Sequence, residues 1–537
     1  MLTLDVAQEK WVEKTLNAMT IEERIGQILI PNCGCDYEMF DQTVRVLEEI
    51  PLGGVFTFGA TAEKHRAKLR EFQAMSKVPL VIAADLENGA GMIVHGATAF
   101  PEPLATAAAD DADLAYLMGK ASARQGRSLG IHWTYAPVVD VNVNPENPIV
   151  NTRSFGDDPD RVARLASAVM RGMQDHGLAA CVKHFPGDGI DDLDQHVVTS
   201  VNSLSMDQWK NISGRTFAAL FDAGVWSVMI GHIALPAWDH QADYRGAYRP
   251  ASVSPRIVTD LLRKEMGFRG LIVTDDMSMG GVSGYMNRRD RTVACIKSGC
   301  DMLLFPRLPR DYAYLDEAVK SGELSEERVT DAARHVLEFK ARLGLHTGEL
   351  AAPDPTPIEL QEISDASRRM AEKAIVQVRD FDKRVPLKLK KGAKVLTVTL
   401  SFDDLDLAEV DAELKKRGYE VDHLRNPTDM FLCEKVGQYD VVFLNFFFKA
   451  SWAISSIRCV GPQNRIFLGD LWDHPGLVCT SFGSPYHLRM FRTLPNLINV
   501  HSSCPDSQKA AVKAWFGEIP MEGKSPAGNL VRVPFGR

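Results

Sequence analysis

Two stretches of this chain bring together side chains that can do chemistry. The first is Val-Lys-His-Phe-Pro-Gly-Asp-Gly-Ile-Asp-Asp-Leu-Asp-Gln-His, residues 182–196. An apolar run delivers Lys183 and His184, a Pro-Gly-Asp-Gly turn follows, and a polar loop ends in Asp194-Gln195-His196. An aspartate two residues from a histidine can accept the Nδ1–H bond and leave Nε2 facing a substrate. Such a pair can donate and accept a proton near pH 7. The same spacing also occurs on ordinary surfaces and in metal sites. The second stretch is Gly-Leu-Ile-Val-Thr-Asp-Asp-Met-Ser-Met-Gly, residues 270–280, an apolar run that ends in Asp275-Asp276. Adjacent residues on an extended strand face opposite ways, so one carboxylate can face inward while the other meets the surroundings. An inward carboxylate can attack an anomeric carbon and form a covalent glycosyl-enzyme. Asp276 is expected to cap the helix that follows.

Two further segments supply binding groups. Val-Asn-Thr-Arg-Ser-Phe-Gly-Asp-Asp-Pro-Asp (150–160) carries Arg153, whose several donors can hold hydroxyls or an amide carbonyl. The alternative is a loop arginine tied to Asp157 or Asp158. Leu-Val-Ile-Ala-Ala-Asp-Leu-Glu-Asn-Gly-Ala-Gly (80–91) ends its apolar run at Asp85, a carboxylate able to accept from two sugar hydroxyls. Glu87 can support that loop.

Such residues need a frame, and the pattern of apolar runs provides one. Runs at 25–32, 53–59, 80–85, 131–142, 179–185, 226–233, 270–276 and 300–305 alternate with amphipathic stretches such as 161–177 and 215–224. Eight strand-then-helix units predict a closed parallel (β/α)8 barrel over residues 1–350. Polar endings recur on these runs: Asp85, Asp140, Lys183-His184, His232 and Asp275-Asp276. Barrel active sites lie at the C-terminal ends of the strands, so these endings converge on one mouth. A proline-rich linker, Leu-Ala-Ala-Pro-Asp-Pro-Thr-Pro, and a helical stretch at 358–374 fill residues 351–390. A second alternation, with runs at 394–400, 419–424, 439–448, 465–471, 476–483 and 496–503, predicts a smaller α/β sheet domain with flanking helices over 391–537. It carries no glycine-rich phosphate loop.

Composition narrows the classes further. The chain is 45% apolar and 24% charged with a net charge of −9. That balance, with no basic run, disfavours nucleic acid and anionic membranes as partners. No apolar window is long enough to span a bilayer, and no secretory leader pattern is present, so a cytoplasmic protein is expected. Cys33-Gly34-Cys35 is the one close pair among nine cysteines. The cysteines read as free thiols, with no metal and no cofactor called for.

Taken together, Lys183-His184-Phe-Pro-Gly, Asp194-x-His196, Asn151-x-Arg-Ser-Phe-Gly, Ala136-Pro-Val-Val-Asp and Thr274-Asp-Asp-Met-Ser-Met resemble glycoside hydrolase family 3 in its β-N-acetylglucosaminidase branch, over about 300 residues. The resemblance implies a retaining exo-enzyme that removes terminal β-linked GlcNAc from muropeptides or chitooligosaccharides. It implies Asp275 as nucleophile, His196 as acid/base and Asp194 as its partner. Asp85, Arg153, Lys183 and His184 are implied sugar ligands, with His232 and Met279 lining the same mouth. Some members of this branch use phosphate in place of water, and related β-glucosidases take their acid from the second domain. A sugar-binding barrel without turnover is the non-enzymatic alternative. Two departures from the family pattern stand out. Position 188 is Asp where the pattern has His, and Ile93 stands where much of the branch has a sugar-binding Arg.

Overall fold

The computed structural model describes residues 4–401, 407–427, 436–450, 470–491 and 494–528. All eight expected runs of the first half form strands: β1 (Leu29–Ile30), β2 (Gly54–Phe56), β3 (Val81–Ala84), β4 (Trp133–Thr134), β5 (Ala179–Phe185), β6 (Ser227–Ile230), β7 (Leu271–Thr274) and β8 (Leu303–Leu304). Strands β2 to β7 form one parallel ladder in chain order. Strands β1 and β8 pair in parallel. Single parallel bridges, Asn32 to Phe56 and Val273 to Met302, close both seams. The ring is therefore a complete eight-stranded barrel.

Alternation along each strand splits the core into two shells. Val81, Ala83, Trp133, Ala179, Cys181, Met229, Leu271 and Val273 pack together inside the ring. Their neighbours Ile82, Ala84, Ala180, Val182, Val228 and Ile272 pack against the surrounding helices. Trp133 crosses the interior and its indole N–H donates to Ser227 Oγ at 2.7 Å. The helix expected near 161–177 runs Pro159–Gln174, with Asp158 accepting from the Asp160 N–H at its N-cap.

The linker is strapped to the barrel. The Ala352 N–H donates to the Arg127 carbonyl, and Asp354 pairs with Arg66. The following helix, Pro357–Lys373, starts in a capping box between Thr356 and Glu359. It packs Ile363, Ala366 and Met370 into the barrel's outer core and Ala371 into the core of the second unit. That unit is a six-stranded sheet built from β9 (Val376–Asp380), β10 (Lys394–Ser401), β11 (Glu420–Arg425), β12 (Val441–Phe447), β13 (Leu477–Ser481) and β14 (Asn496–Asn499). Its order is β9-β14-β13-β12-β10-β11. Strand β9 is antiparallel to β14, and the remaining pairs are parallel. The sheet thus draws its edge strand from residues before 391. The run at 465–471 lies largely outside the described residues, and Asp470–Asp473 is a short 3-10 turn. No helix among the described residues is long and apolar enough to cross a membrane.

The second unit packs onto the barrel beside the loop after β4. Tyr486 joins Leu104 and Ala527 in a small apolar cluster. The Asp157 N–H donates to the Pro526 carbonyl at 3.2 Å, and Arg489 pairs with Glu146.

One buried charge gives a stability test. Lys340, on the helix Glu326–Arg342, has 0% exposure, and its ammonium donates to Gln27 Oε1 at 2.6 Å. Burial pushes it down to about 7. An unfolded lysine titrates near 10.4, so between those values the unfolded chain binds the extra proton and stability rises with pH. Urea unfolding is expected to show this gain between pH 7 and pH 9. Lys340→Met is expected to flatten it and to raise stability at pH 7 by a few kcal/mol. An unchanged pH slope in the variant would refute the assignment.

Candidate active site

The barrel's alternation places three of the expected residues on its axis. Asp85, Lys183 and Asp275 each lie two residues beyond an interior side chain: Ala83, Cys181 and Val273. They therefore project over the C-terminal mouth. The Lys183 ammonium donates to Asp85 Oδ1 at 3.0 Å and lies 2.8 Å from Glu87 Oε1. Arg153 makes a two-pronged contact with the same Glu87, through Nη2 at 2.7 Å and Nε at 3.1 Å. Neither Asp157 nor Asp158 holds it. Asp157 is engaged with the Gly528 N–H, and Asp158 caps its helix. Burial raises the Glu87 carboxyl, but the Arg153 and Lys183 charges overcome it and hold the acid far below its ordinary value. Burial lowers Lys183, and Asp85 and Glu87 more than reverse that. The result is an anion shared by two cations, with the half-buried Asp85 left able to meet a ligand.

Two Asp–His pairs flank this cluster. His196 donates from Nδ1 to Asp194 Oδ1 at 2.6 Å, and its own backbone N–H binds the same oxygen at 2.9 Å. His184 donates from Nδ1 to Asp140 Oδ2 at 2.7 Å. Asp140 Oδ1 also accepts from the backbone N–H of His184 and of Asp188. In each pair the carboxylate fixes the tautomer and leaves Nε2 without a protein partner among the described residues.

The dyad loop is fastened to the strand that carries Asp275. The Gly280 N–H donates to the His196 carbonyl at 2.8 Å, and the Gly281 N–H to the Gln195 carbonyl at 3.0 Å. A Cβ at residue 280 would lie 2.0 Å from the Val197 carbonyl oxygen, so only glycine permits this approach. The buried Gln195 side chain completes the clamp. Its Oε1 accepts from the His232 N–H at 2.8 Å, and its Nε2 donates to Asp188 Oδ2 at 3.3 Å. Burial, with the Asp140 and Asp191 charges, pushes Asp188 well above the usual carboxylate range. Its oxygens accept from Asn147, Gly189 and Gln195, so it serves structure.

Asp275 accepts from the Asp276 N–H at 2.8 Å. Burial raises its carboxyl, and the imidazoles of His184, His232 and His196 outweigh that and hold it below its ordinary value. His232 is itself pushed down, chiefly by burial. An ionised carboxylate near an aspartate-oriented imidazole has the chemistry that a nucleophile and a proton donor require.

Two expectations are corrected. His232 does not line the mouth. It is fully buried, its Nε2–H donates to the Asp276 carbonyl, and its Nδ1 accepts from the Ser252 hydroxyl, both at 2.8 Å. It braces the strand end that carries Asp275. Met279, about as enclosed as His184, lies at the N-terminus of a short helix. Asp276 does not cap that helix. Its carboxylate accepts from the Ser278 N–H and hydroxyl in a local turn, because three residues separate it from the helix start. Ile93 is buried, so the third-strand loop brings no cation at that position. Glu87, Asp140, Asp188 and Gln195 take part as well, in bonding roles that residue spacing alone did not assign to them. Asp140 carried the same signal as the others, a polar ending on an apolar run. Cys33 is buried and donates to the Phe56 carbonyl, and no group of three metal-ligating side chains occurs among the described residues.

Comparison with known proteins agrees with this geometry. The family description "Glycosyl hydrolase family 3 N terminal domain" matches residues 20–339. A Cellulomonas fimi protein called "Beta-N-acetylglucosaminidase/beta-glucosidase" is 32% identical over 96% of this chain and 95% of its own. Among solved structures, the β-glucoside phosphorylase BglX superposes with a TM-score of 0.89 at 30% identity, over 99% of this chain and 98% of that one. A family 3 β-N-acetylglucosaminidase from Paenibacillus superposes at 0.84 with 27% identity, over 95% and 99%.

The division of labour between Glu87 and Asp85 can be measured. Glu87→Gln leaves the buried Lys183 and the partly buried Arg153 without their shared anion and is expected to cost about 3–5 kcal/mol of unfolding free energy. Asp85→Asn removes a more exposed partner and is expected to cost under about 1 kcal/mol. Equal losses in urea titrations would overturn this division.

Proposed function

The chain belongs to glycoside hydrolase family 3, and within that family we propose that it is a retaining exo-β-N-acetylglucosaminidase. Asp275 attacks the anomeric carbon of a terminal β-linked GlcNAc while His196 protonates the departing oxygen. The same histidine, held by Asp194, then takes a proton from the acceptor that releases the glycosyl ester. Asp85, Lys183, His184 and Arg153 hold the terminal sugar. The observation that carries this reading is the clamp joining the Asp194–His196 loop to the segment after Asp275, which ties acid/base and nucleophile to one frame. Short oligosaccharides, such as muropeptides and chitin fragments, present ends of this kind.

A second reading has its own support. A histidine acid/base adds no further fixed negative charge beside Asp275, so an anionic acceptor such as phosphate meets less repulsion than a carboxylate acid would impose. The likeness to a β-glucoside phosphorylase over nearly the whole chain points the same way. It also makes glucoside a substrate to be compared with N-acetylglucosaminide.

Asp275→Asn is expected to abolish turnover of 4-nitrophenyl β-GlcNAc, because an amide does not form the glycosyl ester. Retained turnover would remove the assignment. His196→Ala is expected to lower kcat/KM for poor leaving groups by about 10²–10⁴-fold and for 4-nitrophenolate, which needs no proton, far less. An equal loss on both would make His196 structural. Product analysis with phosphate present and absent separates sugar 1-phosphate from free sugar, and the parallel 4-nitrophenyl glucoside assay fixes the preferred sugar.

A further inference from the structure

In the loop that carries His196, Asp194 and Gln195 are buried, whereas Leu193, Val197 and Val198 are 39%, 54% and 43% exposed, with the exposed Asp192 at its outer end. Asp191 is also turned inward, accepting from the Val201 N–H. Single exposed aliphatics are ordinary, but three of them flanking one catalytic dyad form a patch. None of the three is needed to hold the loop, whose fastening comes from backbone groups and the Gln195 side chain. The apolar character continues at two neighbouring places. Val143 is exposed on the loop after β4, which is tied to the dyad loop by the Asn144 N–H to Gly189 carbonyl bond and by Asn147 to Asp191. Met490 is exposed beside Arg489, and Arg489 pairs with Glu146 of that same loop.

Chemistry says which part of a substrate meets this patch. A general acid protonates the glycosidic oxygen, so the loop that bears it borders the leaving group and not the sugar held by Asp85, Lys183 and Arg153. A leaving sugar would call for hydrogen-bonding groups on this border, and the border offers branched aliphatics. We propose that the leaving group of the physiological substrate is an apolar, non-carbohydrate aglycone that lies on Leu193, Val197 and Val198. This rests on His196 being the acid/base, and it narrows the substrate from oligosaccharide ends to β-glycosides of hydrophobic alcohols.

The test compares kcat/KM for methyl, butyl and hexyl β-GlcNAc and for N,N′-diacetylchitobiose, using the full chain. The alcohols are of similar acidity, so differences along the series report contact with the chain. Each methylene laid on the patch is expected to raise kcat/KM about twofold, giving roughly 30-fold from methyl to hexyl, with hexyl ahead of chitobiose. In the triple variant Leu193→Ser, Val197→Ser, Val198→Ser the hexyl-to-methyl ratio is expected to fall toward one. That ratio cancels any damage to nucleophile, acid or sugar contacts, and the single variant Val198→Ser, expected to lower the ratio by about twofold, serves if the triple variant does not fold. A flat series, a ratio unchanged by substitution, or chitobiose outrunning hexyl overturns the proposal while leaving the glycosidase reading intact. No turnover of any β-GlcNAc or β-glucoside, 4-nitrophenyl included, removes both.

Discussion

A pair of backbone hydrogen bonds governs what this barrel can do. The N–H groups of Gly280 and Gly281 hold the carbonyls of His196 and Gln195, and through them the dyad loop is attached to the end of β7. A general acid helps only within hydrogen-bond reach of the proton it transfers, so the role proposed for His196 requires its loop to be fixed near Asp275. The cost of that fixation is visible in the sequence as two glycines, since a Cβ at residue 281 would lie 2.7 Å from the Gln195 carbonyl oxygen. Gln195 extends the clamp to His232 and Asp188, and His232 passes it to the Asp276 carbonyl. Four chain segments thus share one bonded unit around Asp275.

The charges of the mouth are arranged by the same economy of placement. Four ionised side chains, Asp85, Glu87, Arg153 and Lys183, sit together at the end of a barrel whose interior is otherwise apolar. Buried ions are tolerated when paired and hydrogen-bonded, and Glu87 satisfies two cations at once. This leaves Asp85 with one protein partner and a partly open surface, suited to a ligand that brings hydroxyls. On the other flank, Asp140 gathers the His184 ring and two backbone N–H groups, so the second imidazole is oriented as firmly as the first. The second unit adds its weight from outside, through Tyr486, Pro526 and Arg489 packed against the loop that bears Arg153.

Much of this was legible in the sequence because it follows from period and position. Apolar runs alternating with amphipathic stretches give the eight strands, and counting in twos from Ala83, Cys181 and Val273 points Asp85, Lys183 and Asp275 inward. The Asp194–His196 bond needs only local geometry. What escaped were contacts between segments distant in sequence. Arg153 finds Glu87 across the mouth and not its neighbours Asp157 and Asp158, because the nearer carboxylates are already engaged with Gly528 and with the helix they cap. His232 ends a strand just as Asp85 does, yet its ring is enclosed by Ser252 and Asp276. Whether a polar strand ending meets solvent or becomes a brace depends on which loop folds over it, and that is a tertiary fact.

The substitution at residue 188 shows how such tertiary facts bear on chemistry. A histidine here would add a titrating positive charge beside Asp140. The aspartate instead lies near Asp140 and Asp191, whose charges together with burial push its carboxyl well above the usual range. Its oxygens accept from Asn147, Gly189 and Gln195, so it ties the loops after β4 and β5 to the dyad. His184 and His196, two of the imidazoles that help hold the Asp275 carboxyl below its ordinary value, are rings already oriented by their own aspartates.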